Sequence, residues 1–225
     1  MAIAILSRLA QLPMRKQLSR FRERVRLFEA NAGDSMAIQA LSALPGPFLP
    51  WTSFSMRPAA ILAILSDIEV YDRQVIVECG SGNSTIYAAR LCALRGRGHI
   101  TTLEHDARWA GLTERYLERE GLTQWAQVVH APLNQGWYDA TTIPPMAAID
   151  LLVVDGPPAW ARHSREARAP ALDYFAGTLA DDATVILDDG WRRGERKVVE
   201  RWTIRHRRAF RREPGGFAIS APRVT

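Results

Sequence analysis

The chain predicts an α/β fold, a three-layer sandwich around a mostly parallel sheet, and three observations predict it. Short apolar runs recur and end in acids, at Val75–Glu78, Gly98–Glu104, Ile149–Asp155 and Ala183–Asp188. Helical apolar spacing fills most of the intervals between them, the alternation that builds parallel βαβ units. The last stretch, Ala209–Ser220, reads instead as two short strand-like runs around Pro214-Gly215-Gly216, which is hairpin chemistry.

Taken in order, residues 1–50 read as an N-terminal extension and residues 51–225 as one domain. In the extension, Leu18, Phe21, Val25 and Phe28 recur at helical spacing. Arg15, Lys16, Arg20, Arg22, Arg24 and Arg26 lie between them, so a basic amphipathic helix is expected. It packs on the core or on a partner in a homodimer; a lid over the site and an attachment to an anionic surface are its sharper readings. The proline- and aromatic-rich stretch Leu44–Arg57 leads into a helix over Arg57–Ile68. Beyond it, strands are expected at His99–Glu104, Gln127–Ala131, Ile149–Asp155 and Ala183–Asp188. Helices are expected over Ser84–Arg95, Arg108–Glu120, Ser164–Leu179 and Gly194–Arg207.

With 47% hydrophobic and 24% charged residues among 225, the composition is that of a soluble globular protein with a full core. Cys79 and Cys92 form neither a zinc spacing nor a disulfide framework, and read as buried core residues of a reducing, cytoplasmic protein. The opening Met1–Leu6 is too short for a membrane span and lacks a basic flank ahead of it, so neither a signal peptide nor a transmembrane segment is expected.

The chemistry begins at Val75-Ile-Val-Glu-Cys-Gly-Ser-Gly-Asn-Ser-Thr85. Gly80 and Gly82 allow a sharp turn and a close ligand approach, and Ser84 or Thr85 can cap the helix that follows. A phosphate-binding P-loop needs a lysine that this loop lacks. A dinucleotide fingerprint needs a third small residue where Thr85 stands. Glu104 ends the second strand about twenty residues on, where a carboxylate accepts hydrogen bonds from ribose hydroxyls; a solvated strand-end acid is the alternative.

Glu78-Cys79-Gly80-Ser81-Gly82 resembles motif I of the class I S-adenosylmethionine-dependent methyltransferases. The resemblance implies a Rossmann-like, seven-stranded sheet that binds S-adenosyl-L-methionine. Glu78, Gly80, Ser81, Gly82, Ser84 and Thr85 would lie around its methionine end, Glu104 would take the ribose, and Ala131, with Pro132 and Leu133, would line the adenine pocket.

Two later strands end in Asp155-Gly-Pro-Pro158 and Asp188-Asp189-Gly190. Acids converging on one sheet edge repel, and a divalent cation, a basic partner or a raised pKa relieves them. This pattern resembles the cation-dependent O-methyltransferases of the catechol type. By that resemblance Asp155, Asp188 and Asp189 would hold Mg²⁺ or another divalent cation, with Asp189 where asparagine is common. Without metal, Asp155 acts as general base or substrate anchor, and Asp188-Asp189 cap a helix near Trp191. His163 is the alternative base. Arg162, Arg165 and Arg168 beside it would receive an acidic acceptor, and Trp51, Phe54, Ser55 and Arg57 are pocket residues or a hydrophobic latch.

The net charge of +5 and the arginines from Arg192 to Arg212 raise an RNA methyltransferase as an alternative. No nucleic-acid module is recognisable, so nucleic acid is the less favoured partner. The reading is a methyltransferase acting on an oxygen of a small molecule or glycan; a non-catalytic binding protein that keeps the fold is the other alternative.

Overall fold

The structure, a computed structural model, describes residues 14–146, 148–161 and 164–220. Helices α1 (Met14–Leu41) and α2 (Pro58–Val70) precede the sheet. Then come β1 (Val75–Cys79), α3 (Asn83–Arg95), β2 (His99–Glu104), α4 (Ala107–Arg119) and β3 (Ala126–His130). A small hairpin, β4 (Leu133–Asn134) with β5 (Trp137–Tyr138), leads to β6 (Ile149–Val154) and α5 (Pro170–Phe175). The chain continues through β7 (Leu179–Leu187), α6 (Arg193–His206), β8 (Arg211–Arg212) and β9 (Ala218–Ser220).

Seven strands form one sheet in the order β3-β2-β1-β6-β7-β9-β8. The first five pair in parallel, and β9 runs antiparallel to both β7 and β8. The central strands β1 and β6 are buried on both faces over most of their length, which is why they read as largely apolar runs, whereas the edge strand β3 is only partly buried. Ile76, Ile100, Leu151, Val153 and Ile186 pack under α2 and α3 through Ile61, Ile64, Ile86 and Cys92. Val77, Cys79, Leu103, Leu152 and Leu187 face the other way, onto Leu172 and Phe175 of α5 and Val198 and Trp202 of α6. The buried Trp202 indole donates to the Ala169 carbonyl at 2.8 Å, so its burial strands no donor. Both cysteines are free and buried, as the sequence predicts.

Chain order decides where a site forms. From β1 the sheet grows outward through β2 to β3, then the chain returns to the other side of β1 as β6. The loops after β1 and β6 therefore diverge and leave a crevice at the carboxyl edge, the switch point at which such sheets bind ligands.

Two expectations need correction. Ser164–Leu179 is not one helix: residues 164–169 run as turns, α5 covers only Pro170–Phe175, and Leu179 already belongs to β7. A helix started at Ser164 would drive the Pro170 ring into the carbonyl of Glu166, whereas in a first turn the missing N–H is harmless. The basic helix forms, but its apolar stripe does not pack on the body: Leu18, Phe21, Val25 and Phe28 are exposed. Burial begins at Ala30 and continues at Ala37 and Leu41, where Asp34 grips Arg57 at 2.6 Å and accepts from the Ala59 N–H at 3.1 Å.

Candidate functional site

A cavity of about 320 Å³ opens at this carboxyl edge, within the size range of small-ligand sites. The β1 loop forms one wall, with Gly80, Ser81, Gly82 and Ser84; the ends of β6 and β7 form the other, with Asp155, Gly156, Asp188 and Asp189. The walls meet closely. The Asp155 and Gly156 N–H groups both donate to the Cys79 carbonyl, at 2.8 and 2.6 Å. Two glycines make this approach feasible: a Cβ on Gly80, whose φ is +94°, would stand 3.0 Å from the Gly156 nitrogen. A Cβ on Gly156 would stand 2.2 Å from the Tyr138 hydroxyl.

Glu78 and Thr85 lie behind the loop and do not line the cavity. Glu78 is fully buried and accepts from the Ser84 and Thr85 hydroxyls, each at 2.5 Å. Burial pushes its carboxyl up to about 7, and those hydroxyls pull the other way. Thr85 also takes the Gly82 N–H at 3.0 Å, so one acid and two hydroxyls clamp the first turn of α3 against β1. Ala131 is buried and likewise does not line the cavity.

Glu104 does line it. One oxygen accepts from the Ser81 N–H and hydroxyl, both at 3.0 Å; the other meets the Asp106 N–H and His105 Nδ1, both at 2.9 Å. Burial raises its pKa, but hydrogen bonds from His105, Asp106 and Ser81 outweigh that and hold it below the usual value. Glu104 is therefore a fixed, ionised acceptor, and its contact with Ser81 ties the ends of β1 and β2 together.

The opposite wall is an acid cluster built around an arginine that the sequence reading assigned to an acceptor. Arg168, 5% exposed, donates from Nη2 to Asp155 Oδ1 at 2.9 Å and from Nη1 to Asp189 Oδ2 at 3.2 Å. Nη1 also reaches the Asp188 carbonyl at 3.0 Å and lies 3.8 Å from Glu195. Arg192 holds Asp189 from outside at 2.7 Å. Four carboxylates thus face two guanidiniums, and burial together with this excess of negative charge shows in the ionisation of Asp155 and Asp188. Burial first and the Asp188 charge second push Asp155 well above the carboxylate range. Burial, then Asp189, pushes Asp188 up to about 6. Burial disfavours the Arg168 cation, yet the acids around it more than offset this. Neither Asp188 nor Asp189 caps a helix with its side chain; Arg192 is the N-cap of α6.

Phe54 and Ser55 line the cavity as expected, whereas Trp51 stacks on Tyr87 and Arg57 pairs with Asp34. His163 and Arg162 lie outside the described residues. Sequence reasoning missed Tyr138, Trp109 and Trp160, all at the cavity. Tyr138 is buried and its hydroxyl has no hydrogen-bond partner among the described residues. A two-residue strand after a weakly apolar stretch gives it no periodic signal. The signal for Arg168 was present, because four acids converging on one edge require a nearby cation.

A family described as a methyltransferase domain matches residues 77–190, half of the chain, from β1 through the acids after β7. The chain belongs to that methyltransferase family, in its class I, S-adenosylmethionine-dependent form. The O-methyltransferase from Bacillus cereus, solved with SAH, is 16% identical over 85% of this chain and 91% of its own, with a TM-score of 0.56. The SAH-bound Podospora anserina methyltransferase PaMTH1 is 12% identical over 94% and 98%, with a TM-score of 0.61. The O-methyltransferase TomG from Streptomyces achromogenes, solved with SAM, is 18% identical over 84% and 89%, with a TM-score of 0.53. At these identities the likeness is one of fold. No curated protein matches the chain.

Proposed function

We propose that this methyltransferase acts on a hydroxyl oxygen of a small molecule or glycan, with Asp155 as the base. The observation that carries the proposal is the Asp155 carboxylate, held by Arg168 and facing the cavity across from the glycine loop. When bound, S-adenosylmethionine supplies a methyl group on a cationic sulfur. The residues present fit it: a Cβ at Gly82 would meet nothing within 4 Å, so the loop is open towards the cavity, and Glu104 stands ionised where a ribose is held. Ser81 and Ser84 add hydroxyls to the same wall.

On the facing wall, Arg168 holds one oxygen of Asp155, Asp188 hydrogen-bonds to the same carboxyl group, and that group takes the acceptor's proton as the acceptor oxygen attacks. Alignment and one base are the main demands of this reaction. The raised pKa makes Asp155 a stronger base than an exposed aspartate. It also makes its charged form the scarcer one at low pH, so turnover climbs as pH rises through that pKa. Phe54 and Trp160 are largely exposed at the mouth and offer flat apolar faces to an aromatic or sugar ring, and Arg192 offers charge to an acidic one. The O-methyltransferases among the structural relatives support oxygen as the atom methylated. His163 remains an alternative base. The RNA reading is weakened, because Arg201, Arg205 and Arg211 are paired with Glu166, Asp173 and Glu213.

A cation-assisted version is the second reading. Oxygens of Asp155, Asp188 and Asp189 lie within 4.8 Å of one another, and the acids outnumber the guanidiniums beside them. That donor set fits Mg²⁺ or another hard ion, although Arg168 already occupies one oxygen of Asp155 and one of Asp189. Such an ion would lower the pKa of an acceptor hydroxyl. Chelated protein that neither binds Mn²⁺ nor regains activity with Mg²⁺ rejects this version.

The main proposal is tested by Asp155→Asn in calorimetry and in methyl transfer to pooled metabolites and glycans. The expected result is unchanged S-adenosylmethionine affinity with turnover reduced about 10²-fold or more. Wild-type turnover would remove Asp155 from the mechanism.

A further inference from the structure

The free half of α1 is unexplained by the methyl-transfer site. From residue 30 onward the helix is docked, through Ala30, Ala37, Leu41 and the Asp34–Arg57 pair. Before residue 30, every side chain described from Lys16 to Glu29 is exposed. At 1.5 Å per residue, this undocked part of the helix extends about 24 Å from the docked half. Leu18, Phe21, Val25 and Phe28 form one stripe along it, 49%, 64%, 37% and 75% exposed. Arg20, Arg22 and Arg24 are exposed on the same turns.

Charge identifies the occupant of this stripe. Residues 1–29 contain seven basic and two acidic residues, a net +5; the other 196 residues contain 22 of each. The whole excess charge of the protein therefore sits on its first 29 residues. Three of the body's surface acids are already engaged by its own cations: Glu166 with Lys197 and Arg201, Asp173 with Arg205 and His206, and Glu213 with Arg211. A second copy would bring an equal positive charge to the contact. A nucleic acid would satisfy the arginines and leave the apolar stripe in water. An anionic bilayer surface satisfies both, because phosphates accept the arginines while Phe21 and Phe28 enter the acyl boundary.

We propose that the projecting half of α1 docks this methyltransferase on anionic membrane surfaces. It lies on the bilayer and does not span it: among the described residues no helix is long and apolar enough to cross a membrane. Docking keeps the catalytic body at the bilayer interface. The inference stands apart from the acceptor's chemistry, since the residues involved lie outside the cavity.

The test is co-sedimentation of the full chain with vesicles of phosphatidylcholine alone and with an equimolar phosphatidylglycerol mixture, at low and high salt. Binding to the anionic vesicles should be about tenfold tighter or more, and should fall with salt. A Phe21→Glu/Phe28→Glu variant should lose about tenfold in vesicle affinity or more, while its melting temperature and S-adenosylmethionine affinity stay unchanged. Equal binding to both vesicle types, or anionic binding that survives the double substitution, overturns the proposal. So does a protein that ignores vesicles yet forms a dimer abolished by that substitution, or one that binds RNA in preference to vesicles.

Discussion

Glu78→Gln isolates one buried charge whose effect can be worked out from the structure. Glu78 is wholly buried, with its carboxyl raised from 4.5 to about 7 by that burial. Below about pH 4.5 the group is protonated in both the folded and unfolded chain and contributes nothing to pH dependence. Between about 4.5 and about 7 the folded state holds a proton that the unfolded state has released, so stability falls as pH rises. Above about 7 the full penalty applies, roughly 3 kcal/mol at 1.36 kcal/mol per unit. Glutamine keeps an acceptor for the loop hydroxyls and cannot ionise. The variant should therefore gain on the wild type by roughly 3 kcal/mol between about pH 4.5 and about pH 8. For a chain of this size that is a relative gain of roughly 6–12 °C in melting temperature. Thermal melts of both proteins across this range measure it, because titration of every other group cancels in the difference. Parallel curves would refute the reasoning: Glu78 would then be stably ionised by its hydroxyl donors at neutral pH.

Three further outcomes follow from the site. Arg168→Met leaves Asp155 and Asp189 without their buried cation and should destabilise the fold by about 3–5 kcal/mol near neutral pH. The folded pKa of Asp155, which Arg168 now holds down, rises further, so the deficit should shrink as the pH is lowered; a deficit constant with pH in thermal melts contradicts this account. Tyr138→Phe removes a buried hydroxyl that has no partner among the described residues, so stability should hold or rise by up to about 1 kcal/mol. Its KM for S-adenosylmethionine or acceptor should rise, and unchanged steady-state kinetics would show that the hydroxyl meets no ligand. Gly80→Ala puts a Cβ 3.0 Å from the Gly156 nitrogen at a φ of +94°, a strain of about 1–3 kcal/mol. Calorimetry should show weaker S-adenosylmethionine binding, and wild-type affinity would separate the loop from the cofactor.

Much of this was legible because buried parallel strands advertise themselves. The runs at β1, β2 and β6 are rich in apolar and β-branched residues, and each stops at an acid on the edge that carries the site. Glu104, Asp155, Asp188 and Asp189 were readable as site residues for that reason. Glu78 was read from a motif, and packing turned it from a ligand neighbour into the support behind the loop. Helix α5 was overextended because apolar spacing continued through Pro170, and spacing says nothing about where a pyrrolidine ring fits.

By itself the sequence determined the strand order along the chain, the glycine turn, the acids at the strand ends and the concentration of charge in the first 29 residues. These are local properties, set by side-chain type and spacing over a few residues. Only tertiary structure decided that Arg168 grips Asp155 and Asp189, which lie 13 and 21 residues from it in sequence. It also decided that Tyr138 reaches Gly156, and that the apolar stripe of α1 faces solvent. Those outcomes depend on which strand lies beside which, and on what the rest of the chain leaves uncovered. A cation assigned by sequence to an acceptor became part of the protein's own electrostatics because folding brought four carboxylates around it before any ligand arrived.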